Sequence, residues 1–234
     1  MNILALVAHP DDAEFSVAGT LYKYKRQGHN IFIALTTSGN QGSNTHKTRK
    51  EIAAVREKEQ LAAARLLGAK VRFLKYDDQG LLDTTHSRKS VIDAIRWANP
   101  DVILTHYPSD PSTDHGTTGK IAGEVMLSLP GKLIPADEKP IFKKPSLFFF
   151  DTAAGIDFLP EAYVDISEVF DLKIQTLSKH QSQIAWMGVF AEDNLIELCR
   201  ARDRFRGMQY GCQYAEAYRA FRLHGYMPDF RLLP

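Results

Sequence analysis

A histidine and two aspartates follow the first apolar stretch of the chain. Residues 3–8 are all apolar, and His9, Asp11 and Asp12 come directly after them. In open α/β sheets, ligands bind in the crevice beyond the carboxyl ends of the strands. A catalytic zinc site uses three imidazole or carboxylate ligands and leaves a fourth position open for water. We therefore expect a metal site where this first strand ends.

Asp114 and His115 follow a later apolar strand, and His115 would supply the third ligand. His9, one of the two neighbouring aspartates and His115 would then bind the ion. The other aspartate would act as general base, while the metal lowers the pKa of a water molecule and polarises a carbonyl. This chemistry suits hydrolysis of an amide or an ester. The spacing leaves open which of Asp11 and Asp12 takes which role, and the structural alternative is an aspartate that caps the first helix.

Apolar strands alternate with amphipathic helices along the chain, and these elements must position the polar residues. Strands are predicted at 2–8, 31–36, 71–76, 101–105, 146–150 and 163–166. Helices are predicted at about 14–27, 48–67, 86–98 and 114–128, from 167 to beyond His180, and at 191–206. The aromatic run from Tyr210 favours core packing or a subunit contact. The alternation predicts one α/β domain over residues 1–234, a Rossmann-like, mostly parallel sheet with helices on both faces in three layers.

Composition restricts the class of protein. The formal net charge of +1 argues against a nucleic-acid partner. The two cysteines are too few for a disulfide framework, which favours a reducing compartment. The chain has no apolar run of roughly 18 residues that could span a bilayer and no basic segment before its first apolar residues, so we expect a cytoplasmic protein without a transmembrane segment.

Further short motifs follow one another along the chain. They are Ala8-His-Pro-Asp-Asp12, Gly19-Thr-Leu21, Arg56-x-x-Glu59, Leu67-Gly68, Asp110-x-x-x-Asp114-His115, Val164-Asp-Ile-Ser167, Lys173, His180-x-Ser182-Gln183, Arg206-Gly207, Gly211 and Tyr214-Ala-Glu216. In this order they resemble the LmbE-like (PIG-L) family of N-acetylglucosaminyl deacetylases over most of the chain. The resemblance implies a Rossmann-like fold and a zinc-dependent hydrolase that removes acetyl from an N-acetylated sugar conjugate.

The resemblance also implies a role for each residue of the metal site. His9, Asp12 and His115 correspond to the metal ligands, Asp11 to the general base, and Asp114 to a partner that orients a ligand. One Zn²⁺ per chain is implied, although two histidines and one aspartate also suit iron, cobalt or manganese. The family's tendency to self-associate implies a homo-oligomer.

Substrate-binding residues are implied less directly. Arg56 resembles a substrate-binding arginine, although its spacing from Glu59 would also suit an ordinary ion pair on a helix surface. Ser112 stands where many members have a histidine that stabilises the intermediate or protonates the leaving amine. His180 or His106 could replace that histidine, and we favour His180 as the catalytic residue, with Ser112 and His106 near the substrate.

Two rival functions remain open from the sequence. Loss of the histidine at Ser112 could mark a catalytically impaired module that binds a sugar or a nucleotide. Retention of Asp11 argues against this, because a binding module needs no general base, and a Gly-x-Gly-x-x-Gly fingerprint is absent. Alternatively, the chain could be a zinc hydrolase of another amide or ester.

Overall fold

The computed structural model describes residues 1–188 and 195–234. Within these ranges the strands are β1 (Asn2–Val7), β2 (Asn30–Thr37), β3 (Lys70–Tyr76), β4 (Val102–Thr105), β5 (Ser146–Phe150), β6 (Ala162–Asp165) and β7 (Ala215–Ala220). The helices are α1 (Asp12–Ser16), α2 (Ala18–Arg26), α3 (Arg49–Leu67), α4 (Thr85–Ala98), α5 (Thr113–Glu124), α6 (Phe170–Leu177), α7 (Gln181–Met187) and α8 (Leu195–Tyr210). Short 3₁₀ turns cover Met126–Ser128, Ser167–Val169 and Phe230–Leu232.

The seven strands form one sheet in the order β3-β2-β1-β4-β5-β7-β6. The first five strands in this order are parallel, and β7 is antiparallel to both of its neighbours. The mostly parallel α/β sheet predicted from the sequence is therefore confirmed, and all six predicted strands form. Strand β7 was not predicted, because alanine, glutamate and arginine dominate its sequence and are poor strand formers.

Both faces of the sheet are buried, as the near-continuous apolar run of β1 requires. Ile3, Ala5 and Val7 pack on the side of α2 and α6, whereas Leu4 and Leu6 pack on the side of α4 and α5. Each fully buried aliphatic side chain of this size contributes about 1.5–3 kcal/mol. This burial fixes β1 and therefore the position at which His9 leaves the sheet.

Three helix predictions need correction. The helix predicted over 14–27 is two helices, interrupted where Val17 takes a non-helical φ of −136°. The helix predicted from 167 ends at Leu177, and His180 lies just before α7, whose start the sequence pattern does not predict. Part of the helix predicted over 191–206 falls on residues outside the described ranges, and its described part continues to Tyr210. By contrast, α3 begins with the predicted capping box, in which Thr48 and Glu51 bond each other's backbone N–H groups.

No helix within residues 1–188 and 195–234 has the length and apolar character needed to cross a bilayer.

Candidate active site and metal centre

Polar residues collect at the carboxyl edge of the parallel strands, as expected for this sheet. His9 follows β1, Asp78 follows β3, and Asp110 and His115 come after β4. A cleft of about 430 Å³ opens over these strand ends. This volume lies within the range of about 300–1,000 Å³ typical of small-molecule sites.

Three of the predicted residues converge on one point. Nδ1 of His9 lies 3.1 Å from Nε2 of His115. Carboxylate oxygens of Asp12 lie 3.4 Å from each of these two nitrogens. All three ligand atoms lie within 4.8 Å of one another. The structure therefore brings together the predicted ligand set of two histidines and one aspartate.

The outward-facing nitrogens of both histidines meet carboxylates. Nε2 of His9 lies 3.2 Å from Asp114 and 3.2 Å from Asp78, and Nδ1 of His115 lies 3.3 Å from Asp110. Carboxylates at these positions hold the imidazole protons on the outer nitrogens, as in metal sites where a carboxylate orients a histidine ligand. Nδ1 of His9 and Nε2 of His115 lie 3.1 Å apart and both beside Asp12, so that a cation could bind the two nitrogens in their deprotonated forms. The residues present therefore fit a divalent metal.

The pKa values of these side chains also favour a positive charge at the centre of the cluster. Burial disfavours the imidazolium forms, but the surrounding carboxylates outweigh it, so the pKa of His9 lies well above its usual value and that of His115 rises to about 9. Burial likewise opposes ionisation of Asp12, yet His115 and His106 hold its pKa well below the usual value. The cluster thus favours ionised carboxylates around a positive centre.

Asp11 occupies the turn between β1 and α1 with a φ of 112°, a region that non-glycine residues rarely adopt. Its side chain makes no helix-capping hydrogen bond, which removes the capping alternative. Oδ2 of Asp11 lies 3.3 Å from Nη2 of Arg56. Burial raises the pKa of Asp11 to about 6, and Arg56 opposes this rise. The result is a carboxylate that borders the cleft and whose pKa lies near neutrality.

Arg56 reaches from α3 into the cleft and is 3% exposed. Besides its contact with Asp11, its guanidinium donates to the carbonyl oxygens of Gly39, at 3.0 Å, and Pro10, at 2.6 Å. The alternative ion pair with Glu59 is wrong, because Glu59 instead accepts hydrogen bonds from the backbone N–H and hydroxyl of Ser182. Arg56 therefore joins the loop after β2 to the loop that carries Asp11.

His180 lies outside the lining of the cleft, and its side chain is fully buried. Nε2 of His180 lies 3.2 Å from a carboxylate oxygen of Glu14, which is also fully buried. The other oxygen of Glu14 accepts from Nε2 of Gln60, at 2.8 Å, and the amide oxygen of Gln60 faces the backbone N–H of Asp11 at 3.3 Å. A chain of polar contacts thus leads from His180 to the backbone of Asp11.

The two remaining candidates differ in access. Ser112 lines the mouth of the cleft at the start of α5, with its backbone N–H donating to Asp110. His106 is 2% exposed and lies beneath the metal ligands, with its ring stacked on that of His115 and its Nε2 3.2 Å from Asp12. Burial and the charge of His115 lower the pKa of His106 to about 4, so it is neutral at pH 7. Its Nε2 accepts from the backbone N–H of Ala8, at 3.0 Å, so His106 lies behind Asp12 rather than facing a substrate.

Several residues of the site are not evident from the sequence. Asp78 has the sequence context of a turn residue, yet it lines the cleft beside His9. Glu14 and Gln60 belong to none of the motifs, although an acid inside an apolar helix face is a signal that could have identified Glu14. Asp110 belongs to a motif that gives it no role by itself.

One wall of the cleft is apolar. It consists of side chains from α1, α7 and α8 together with the loop after β5, namely Phe15, Trp186, Met187, Leu195, Leu198 and Ala153. The guanidinium of Arg202 lies 4.2 Å from the ring of Phe15 and donates to its carbonyl oxygen. The lining also includes the uncharged polar residues Gln41, Gln79 and Ser112.

Comparisons with known proteins show similarity to deacetylases in sequence and in fold. The PIG-L family model, described as GlcNAc-PI de-N-acetylase, matches residues 4–126. A probable N-acetyl-alpha-D-glucosaminyl L-malate deacetylase 2 of Bacillus anthracis is 28% identical over 192 residues, covering 79% of this chain and 82% of the relative. A 4-oxalmesaconate hydratase of Pseudomonas putida is 25% identical over 181 residues, covering 74% and 70% of the two chains.

Among solved structures, the fold is similar to N,N'-diacetylchitobiose deacetylase from Pyrococcus horikoshii in complex with its inhibitor MPG. The TM-score is 0.82 at 25% sequence identity, and the superposition covers 97% of this chain and 86% of the other.

Proposed function

The chain belongs to the PIG-L family of deacetylases, and we propose that it removes acetyl from an N-acetylglucosamine-type conjugate with the help of one bound metal ion. The observation that carries the proposal is the convergence of His9, Asp12 and His115 within 4.8 Å, with Asp11 beside them on the same cleft. Family membership alone would not distinguish an active enzyme from an impaired one. An intact ligand set with a carboxylate of raised pKa beside it favours the active enzyme.

His9, Asp12 and His115 would hold the ion, with Asp114 and Asp110 orienting the two imidazoles. A divalent ion in this position lowers the pKa of a water molecule and polarises an acyl carbonyl. We propose Zn²⁺ because two histidines and one carboxylate are a frequent catalytic zinc set. Manganese, iron or cobalt would fit the same donors.

Asp11 is the proposed general base. Its carboxylate accepts a proton from water as the new C–O bond forms at the acyl carbon. Because its pKa is about 6, Asp11 is mostly ionised at neutral pH and yet acidic enough to return the proton. When the C–N bond breaks, the proton passes from Asp11 to the leaving nitrogen, and the products are acetate and a free amine.

His180 receives a different role from the one that the sequence favoured. Because its imidazole is fully buried behind Glu14, it has no direct path to the leaving amine. We propose that it is a positioning residue, which acts through Glu14 and Gln60 on the strained backbone of Asp11. Ser112, at the mouth, remains a proposed substrate contact, and His106 is proposed to support Asp12.

A second candidate reaction is the addition of water to a carbon–carbon double bond, since one relative is a hydratase. The same base could take a proton from water in either reaction. The two functions differ in their products, because only deacetylation releases acetate and an amine.

The experiment measures amine and acetate release from a panel of N-acetylglucosamine conjugates, with metal content determined in parallel. We expect release that stops with a chelator and returns with added zinc. Asp11→Asn should keep about one metal per chain and lose turnover, whereas His115→Ala should lose both. Absence of release from protein that holds metal would contradict the proposal, and hydration of an unsaturated acid by the same protein would favour the second candidate.

We also propose a compartment and an oligomeric state for the protein. Cys199 and Cys212 are both free thiols, which supports a reducing compartment such as the cytoplasm. Self-association into a homo-oligomer follows from the family resemblance and can be measured by light scattering of the purified chain. A single molar mass equal to that of the monomer would contradict it.

A further inference from the structure

The charge of the cleft determines which conjugates it can accept. Four carboxylates line the cleft: Asp11, Asp12, Asp78 and Asp114. Among the described residues, the single lysine or arginine in the lining is Arg56. Even with a divalent ion bound between neutral histidines, the lining would keep one net negative charge. The cleft is therefore a poor environment for a negatively charged group in the rest of the conjugate, outside the acetyl group.

Arg56 does not offer its charge to a substrate. It already donates to the carbonyls of Gly39 and Pro10 and faces Asp11. Arg202, which contacts Phe15 of the apolar wall, is 5% exposed and donates to Asp203. Residues 189–194, outside the described part of the chain, contain two acids and no lysine or arginine. A carboxylate or phosphate in the conjugate would thus lose hydration without gaining a cationic partner, which is costly.

The shape of the cleft supplies what a neutral sugar needs instead. Trp186 and Leu198 offer an apolar surface, and the C–H face of a pyranose ring is apolar as well. Gln41 and Gln79 also line the cleft. The amide oxygen of Gln41, whose Nε2 donates to the carbonyl oxygen of Asp78, and the amide of Gln79 can bond hydroxyl groups. An apolar surface with a few polar groups that orient the ligand is typical of small-molecule sites, and the polar groups outside the acidic cluster and Arg56 are uncharged here.

From this arrangement we propose that the group linked to the N-acetylglucosamine is uncharged and carbohydrate-like, as in a neutral N-acetylated disaccharide, and is not an organic acid or a phosphodiester. The inference rests on the proposed function and deepens it. It separates the two kinds of conjugate named by the deacetylase relatives, since malate is a dicarboxylate and chitobiose is uncharged.

The first test measures kcat/KM of the zinc-loaded enzyme for N,N'-diacetylchitobiose and for N-acetylglucosaminyl malate. We expect the neutral substrate to be favoured at least tenfold. Equal or better turnover of the malate conjugate would overturn the inference and leave the proposed deacetylase function intact.

A binding measurement keeps the two proposals separate. Calorimetry of the zinc-loaded wild-type protein, which keeps all four carboxylates of the lining, with the amine products of the two conjugates reports binding of the disaccharide and of the malate compound without turnover. Tighter binding of the disaccharide supports the inference even if neither conjugate is hydrolysed, a result that would instead count against the proposed function. Tighter binding of the malate conjugate, or equal affinity for the two, would overturn the inference.

Substitutions of Gln79, at the mouth of the cleft, provide matched variants that differ in charge. Gln79 is exposed, lines the cleft and has a φ of 57°. Gln79→Lys adds an ammonium group there, and Gln79→Met is an uncharged control of similar length. The ratio of kcat/KM for malate conjugate over disaccharide should rise about fivefold in the lysine variant relative to the methionine variant, as expected for one partly exposed ion pair. An unchanged ratio would show that charge at this mouth does not select the substrate.

Discussion

Gly39 offers a sharp test of how the proposed base is held. It lies in the loop after β2 with a φ of +59°, and a Cβ built there would overlap the guanidinium of Arg56, reaching Nε at 2.7 Å. That guanidinium cannot turn aside freely, because it is 3% exposed and contacts Gly39, Pro10 and Asp11. Gly39→Ala should therefore displace Arg56 and release Asp11.

A matched control isolates the cost of the backbone conformation. Gly28 has a φ of +81°, and a Cβ added to it would meet no atom within 4 Å, so Gly28→Ala carries the left-handed strain alone, about 1–2 kcal/mol. Gly39→Ala carries the same strain and also weakens charge-assisted hydrogen bonds of Arg56, which adds about 1.5–3 kcal/mol. At about 2–4 °C per kcal/mol, Gly39→Ala should melt roughly 3–12 °C below the control.

Activity should separate the two variants further. Displacement of a catalytic group by about 1 Å can lower the rate roughly a hundredfold. We therefore expect kcat/KM of Gly39→Ala to fall by about that factor. Gly28→Ala should stay within about twofold of the wild type. The assays are thermal unfolding and amine release on the same preparations. Equal melting temperatures and equal activities in the two variants would refute the reasoning that Arg56 holds Asp11.

Three further predictions follow from the same contacts. Asp114→Asn should weaken metal affinity about 10- to 100-fold, measured by competition with a chromogenic chelator, and unchanged affinity would contradict an orienting role. His180→Gln and Gln60→Leu should each lower kcat, and the double variant should lose little more than either alone, whereas additive losses would indicate that His180 acts independently. Lys173→Met should cost about 3–5 kcal/mol in the free energy of unfolding, because it leaves the buried carboxylate of Glu216 without its cation and leaves Asp203 with Arg202 alone, while the exposed control Lys179→Met should change it by less than about 0.5 kcal/mol.

The convergence of the proposed metal ligands could be predicted because the sheet brings them to one edge. His9 and Asp12 directly follow a buried strand, and His115 follows the neighbouring strand β4, so the parallel topology brings them to one edge. The residues alone do not distinguish Asp11, the proposed base, from Asp12. Its distinguishing features are a φ of 112° and the contact with Arg56, which arise only after folding.

Other parts of the site depend on long-range contacts that no local pattern encodes. Glu14 and Gln60 meet across 46 positions of sequence, and Glu14 also meets His180 from the turn before α7. Strand β7 forms because it fills the space between β5 and β6, although its own residues disfavour a strand. There, Glu216 accepts the backbone N–H groups of Gly19 and Thr20 and so ties the strand to α2.

Arg56 shows why the spacing of charged residues along a helix does not predict their partners at a buried site. A surface pair of Arg56 with Glu59, three residues apart on a helix, would stabilise the chain by only about 0.2–0.5 kcal/mol. Each charge-assisted hydrogen bond in the interior contributes about 1.5–3 kcal/mol, so tertiary partners outweigh the local one for both residues. Arg56 consequently turns to Asp11, and Glu59 turns to Ser182 at the start of α7. Helix α3 thereby connects the proposed base to the helix that carries Trp186, so that substitutions on the buried side of α3 should alter both rate and substrate affinity.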